Sequence, residues 1–167
     1  MQYLAQQPGG LTDNQFYLNP DTSLRSRNWF NVDWNLGAIH YDYEFNSTTK
    51  INSRTFGLVA SRKAIGNMDK PFYQDFMQNR NIISGEFKNI GNETRFLHLY
   101  DVNKNPSALL LGARVYRGFN RSIQGEGSDS NEPDFNFLGD VNDIVNSTGI
   151  ISNYQFPSFN FSFFGEN

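Results

Sequence analysis

The sequence contains no cysteine. That excludes a disulfide framework, a thiolate metal centre and a cysteine nucleophile, and it is compatible with the bacterial envelope without pointing there. No run approaches the ~18 consecutive apolar residues of a membrane-spanning helix; the longest, around Ala108 to Leu111, is far shorter. Lysine and arginine total 14 against 17 acidic residues, a net charge of -3 with no basic tract and no acidic tail. Nucleic acid is therefore not an expected partner. Met1 is followed by Gln-Tyr-Leu-Ala-Gln-Gln-Pro, which has neither a basic leader nor an apolar core. The chain stops at Phe163-Phe164-Gly165-Glu166-Asn167, inside an alternating segment, and both ends are expected to be cuts. Gly-x-Ser-x-Gly elbows, phosphate loops and His-Glu-x-x-His motifs are also missing. No enzymatic activity and no catalytic residue are expected.

Aromatic residues are what the chain has in quantity, with 16 Phe and 8 Tyr among 167 residues, yet only 38% of the residues are hydrophobic. Such a balance suits a wall with one greasy and one wet face better than a compact core. Residues 28 to 45 place Phe30, Val32, Trp34, Leu36 and Ala38 on one face against Asn31, Asp33, Asn35 and Gly37, which is period two. Beyond Ala38 the apolar set moves to Ile39, Tyr41, Tyr43 and Phe45, through either a bulge or an exit from the bilayer. Residues 50 to 64 alternate Phe56, Leu58 and Ala60 with Thr55, Gly57, Val59 and Ser61. A short polar link at Asn46 to Thr49 makes the first pair a hairpin.

The same unit recurs. Residues 86 to 100 set Ile90, Thr94, Phe96, His98 and Tyr100 against Asn89, Gly91, Glu93 and Arg95. Residues 107 to 121 set Leu109, Leu111, Ala113, Val115 and Phe119 against Gly112, Arg114, Tyr116, Gly118 and Asn120. Asn103-Lys104-Asn105-Pro106 links the two, and residues 153 to 167 add a fifth strand with Phe159, Phe161 and Phe163 on one face. The expected fold is all-β, an antiparallel meander of about five long strands forming one partial barrel domain over residues 1 to 167, with no helix demanded anywhere. Soluble strands run ~5 to 6 residues, whereas bilayer-crossing strands need ~9 to 11. Long strands with short turns at one end and long loops at the other match a membrane barrel, whose long loops face outside. By that rule loops 1 to 24, 65 to 85 and 122 to 152 are extracellular. A β-sandwich satisfies the same alternation and stays open as the alternative.

Two stretches, Tyr3-Leu4-Ala5-Gln6-Gln7-Pro8-Gly9-Gly10-Leu11-Thr12-Asp13 and Arg25-Ser26-Arg27-Asn28-Trp29-Phe30-Asn31-Val32-Asp33-Trp34-Asn35, resemble the ferric (di)citrate branch of the TonB-dependent receptors. Arg54 to Arg62 (RTFGLVASR), Gly85-Glu86-Phe87-Lys88-Asn89, Tyr154-Gln155-Phe156-Pro157 and the closing Phe163 to Asn167 follow in the same order. The resemblance covers essentially the whole chain. It implies a bacterial outer-membrane barrel of about 22 strands with a plugged lumen, taking up a ferric chelate through the TonB complex, which the plug region would contact. The plug, the TonB-contacting segment and the closing strand are absent from these residues. Five strands cannot close a ring, and open edges cost several kcal/mol per unpaired group in lipid. Residues 1 to 167 alone are expected to aggregate or stay disordered, and a soluble, monodisperse, cooperatively folding product would overturn that expectation.

Cations gather at the expected outer strand ends: Arg25, Arg27, Arg62, Lys63, Arg117 and Arg121, with Arg80 in a loop. Arginine forks bind carboxylates bidentately, so a rim of this kind suits an anionic ferric chelate, and equally suits lipid phosphates. Asp33, Glu93, Arg95 and Arg114 are expected to meet channel water or the plug. His40 and His98 are the only histidines and make no metal site. The acidic stretch Gly125 to Glu132 lacks the order of a calcium loop. No cofactor is expected, iron entering only as transported chelate. Five Asn-x-Ser/Thr triplets, at Asn46, Asn92, Asn120, Asn146 and Asn160, follow from heavy asparagine use. Another cargo in the same barrel, a different siderophore or an oligosaccharide, stays open, as does a secreted glycan-binding sandwich using Tyr73 or Tyr154.

Overall fold

A computed structural model of the chain describes residues 1–5, 11–68, 75 and 77–167; Tyr73 lies outside them. The elements are β1 (Gln2–Leu4), α1 (Asp13–Leu18), β2 (Trp29–Asn46), β3 (Thr49–Gly66), β4 (Asn81–Val102), β5 (Asn105–Glu126) and β6 (Ile150–Glu166). The strands form one six-stranded sheet in the order β1-β2-β3-β4-β5-β6. It is an open meander. Among the described residues no second sheet covers it.

Two elements depart from the expected five-strand, helix-free reading. β1 adds a sixth strand inside the expected loop 1 to 24, pairing antiparallel with β2 through Gln2 to Asn31, Tyr3 to Phe30 and Leu4 to Trp29. Three residues are too few for alternation to reveal. α1 follows from Thr12, whose hydroxyl accepts from the Gln15 N–H at 3.3 Å while the Gln15 side chain accepts from the Thr12 N–H at 3.0 Å. Thr-x-x-Gln is a capping box, so this helix was readable.

The strands also run further into the expected loops. Residues 81 to 85 belong to β4, 122 to 126 to β5 and 150 to 152 to β6. Burial explains the extension, because Ile82, Ile123 and Ile150 are buried there together with Ile65. These isoleucines lie in the first of two compact units, Met1–Asp33 with Ser61–Glu86 and Arg121–Gln155. A Cβ on Gly127 would stand 2.6 Å from Ile82 Cδ1 and 2.9 Å from Ile65 Cδ1, so glycine there lets the backbone close over this small core.

The second unit, Trp34–Ala60 with Phe87–Asn120 and Phe156–Asn167, holds both tight turns. Asn103 and Lys104 adopt φ of 51° and 69°, the left-handed pair of a two-residue type I′ hairpin. Lysine has no means of easing that conformation. Lys104→Gly is expected to stabilise the hairpin by up to ~1 kcal/mol, read as a raised urea midpoint at unchanged slope. The other turn uses Asn46, whose side-chain oxygen accepts from the Thr48 N–H at 3.0 Å.

Candidate functional site

Three side-chain contacts fix how β3 meets β4: Thr49 Oγ1 to His98 Nδ1 at 2.8 Å, Ser53 Oγ to Thr94 Oγ1 at 2.8 Å, and Asn92 Nδ2 to Thr55 Oγ1 at 2.9 Å. All follow one antiparallel register. Across the tight turn, Glu93 stands opposite Arg114 at 4.0 Å. On the far side of β5, a Cβ on Gly112 would strike the Phe164 ring and one on Gly118 the Ser158 hydroxyl, which fixes β5 against β6. The two faces of the second unit are thereby assigned, since successive side chains leave a strand on opposite sides.

One face is aromatic. Along β2 it carries Ile39, Tyr41, Tyr43 and Phe45, all at least 48% exposed, with the Tyr41 and Tyr43 rings stacked at 6.4 Å. On β4 it carries Phe96, His98 and Tyr100, whose rings stack at 6.5 and 6.0 Å. On β5 come Leu111 and Val115, and on β6 Phe159, Phe161 and Phe163. An apolar surface of this extent marks a lipid or protein contact. The switch of the apolar set after Ala38 is not a bulge. Trp34 meets the Phe87 ring at 6.3 Å and Asp42 accepts from Asn52, residues of the same face, so β2 keeps its alternation throughout.

The opposite face is charged. Arg95 donates to Glu93 through Nε at 2.8 Å and approaches it through Nη2 at 2.5 Å. The Arg114 guanidinium lies over the Phe56 ring at 5.8 Å, Arg54 over the same ring at 5.9 Å, and Arg95 over Phe164 at 6.0 Å. Arg54, Phe56, Glu93, Arg95 and Arg114 line a concavity of about 270 Å³. A neighbouring one of about 420 Å³ is bordered by Asp42, Glu44, Lys50, Asn52 and Arg95. Phe56 reaches this face because Gly91 lies directly across from it: a Cβ there would stand 2.6 Å from the ring. Glycine in β4 thus makes the seat on which two arginines stack, a contact sequence alternation missed because it grouped Phe56 with Leu58 and Ala60 and could not say which face they took.

The expected rim behaves differently from a set of free cations. In the first unit Arg27 is 2% exposed and grips Asp75 with both arms, Nε at 2.8 Å and Nη2 at 2.5 Å, while also donating to the Asp129 and Gln78 carbonyls. This fork is committed. Hydrogen bonding from Arg27 holds the Asp75 carboxyl below the usual aspartate range against the opposing effect of burial, helped by the Met77 N–H and the charges of Arg27 and Arg25. Arg80 is fully buried, donates to the Ser128 carbonyl and hydroxyl and to the Arg27 carbonyl, and has its pKa lowered by burial and by the Arg27 charge. Arg25 is likewise buried, and Arg121 donates to Asn153 at 3.0 Å. Arg62 and, in the second unit, Arg117 are exposed, with Lys63 half-buried. Asp33 belongs to the first unit, and Glu93, Arg95 and Arg114 to the second.

Among the described residues no group of three or more His, Cys, Asp or Glu side chains is placed to hold a metal ion. No helix is long and apolar enough to cross a membrane, which says nothing about strands. Against this geometry stands one similar solved structure, the ferric citrate transporter FecA in its unliganded form, with a TM-score of 0.70 over 94% of this chain at 13% identity. The likeness is one of fold. The chain covers 21% of that transporter's length. No protein-family model matches the sequence, and no curated protein does.

Proposed function

We propose that the chain is a stretch of the wall of a bacterial outer-membrane, TonB-dependent receptor that actively takes up an iron chelate, ferric citrate first among the cargoes. The observation that carries this reading is the two-faced, uncovered sheet, aromatic on one side and charged on the other, in a fold shared with a ferric citrate transporter. The aromatic face meets lipid and the charged face the lumen, as in barrels that alternate apolar-out and polar-in. The short turns lie on the periplasmic side and the long connections outside. Energy coupling through the TonB complex belongs to a plug region beyond these residues.

Capture at the rim falls to the exposed Arg62, since Arg27 is spent on Asp75 and Arg117 leaves β5 on the side of Leu111 and Val115. Neutralising Arg62 in the full-length receptor is expected to weaken ferric citrate binding about tenfold, the scale of one charge-assisted hydrogen bond. Calorimetric titration checks this. Unchanged affinity rejects the rim, and tighter binding of another siderophore or an oligosaccharide rejects the cargo.

A further inference from the structure

We propose that Arg54, Arg95 and Arg114 form a carboxylate-accepting site on the charged face, for which Glu93 acts as a partial, built-in occupant. The proposal deepens the receptor reading, because it takes this face to be the wet interior. Its first support is the grip on Glu93 itself. Arg95 from the same strand and Arg114 from the next converge on one carboxylate, at 2.5 and 4.0 Å, so the local geometry already selects that chemistry.

The second support is the charge count. Within the concavity three guanidiniums face a single carboxylate, and Arg54 and Arg114 have no hydrogen-bond partner among the described residues. The Arg95 and Arg114 side chains are 54% and 46% exposed, so their forks are reachable. The third is preorganisation. Arg54 and Arg114 lie 5.9 and 5.8 Å over the Phe56 ring and Arg95 lies 6.0 Å over that of Phe164, contacts that hold the three cations close to one another. Asp42 and Glu44 stand with Lys50 at the adjoining concavity, and Asp42 accepts from Asn52. They do not complete the arginine cluster.

The ligand is therefore a group presenting two or more carboxylates. Two sources offer this chemistry: a small polycarboxylate in the lumen, or an acidic segment of the full-length receptor lying against the sheet. Titrating detergent-solubilised full-length receptor with iron-free citrate at low ionic strength separates them. Saturable binding, weakened tenfold or more by Arg95→Gln or Arg114→Gln, tightened several-fold by Glu93→Gln and unchanged by Lys88→Gln, assigns the small anion. No citrate binding, but a melting temperature lowered by ~1 M salt and by Arg114→Gln and raised by Glu93→Gln, assigns the acidic segment. The Glu93→Gln gain matters because a folding defect cannot produce it. If that variant raises neither affinity nor melting temperature, the site is overturned, while ferric citrate binding at Arg62 tests the cargo separately.

Discussion

Replacing Arg27 by Gln is expected to unclasp the loops of the first unit at a cost of about 3–5 kcal/mol, the penalty for leaving one partner of a buried ion pair alone. Arg27 and Asp75 are 2% and 6% exposed, so water cannot take over the carboxylate without the loops parting. Arg27 also holds the Asp129 carbonyl, and Arg80 holds Ser128, so residues near 27, 75, 77 to 80 and 127 to 129 open together. The measurement is amide hydrogen exchange at Gly127, whose N–H donates to the Arg80 carbonyl at 2.7 Å. Protection should fall a hundredfold or more, on the scale of ~1.4 kcal/mol per decade. Exchange within threefold of wild type would show that the clasp is not what orders these loops.

The same pair dictates a pH dependence. Asp75 is depressed from its ordinary value of 3.8. Its contribution is full above that value and is lost as the pH falls through the lower, folded-state pKa. Gly127 protection in wild type is accordingly flat from neutral pH down to about 4 and drops only in stronger acid, whereas Asp75→Asn removes the acid limb.

The second large effect concerns which face meets lipid. On the receptor reading, Leu111→Arg, on the aromatic face of β5, is expected to destabilise the full-length receptor in lipid vesicles by about 2–4 kcal/mol, as for arginine near a bilayer midplane. Leu110→Arg, on the charged face beside Arg95, should cost less than ~1 kcal/mol. Urea unfolding of both variants gives the comparison. The reverse order would turn the wall inside out and remove the receptor reading with it.

How much of this was legible beforehand can be argued from particular residues. Alternation marked the mid-portions of β2 to β6, because period two survives whichever face is buried. It could not place Phe56, since a ring among Arg54, Glu93 and Arg114 is acceptable only when a glycine across the strand makes room for it, and that is a fact of register. Register was partly within reach: a two-residue turn at Asn103-Lys104 already sets Glu93 opposite Arg114. The commitment of Arg27 to Asp75, 48 residues away, had no local signal at all. Long loops meet through tertiary closure, and a rim cation looks the same in sequence whether it is spent or free.

The polar contacts linking β3 to β4 on the aromatic face carry a consequence for how such a wall assembles. Ser53, Thr55, Asn92 and Thr94 lie among Ile90, Phe96 and Val115, yet each bonds to another member of the group, at 2.8 to 3.0 Å. Hydrocarbon offers no substitute partner for such groups. Apart, β3 presents two hydroxyls and β4 a hydroxyl and an amide that resist entering a membrane; joined, they present a surface that is polar in composition and sated in practice. On the receptor reading, order of events follows: β3 and β4 zip before they insert, and the pair crosses the bilayer as one object.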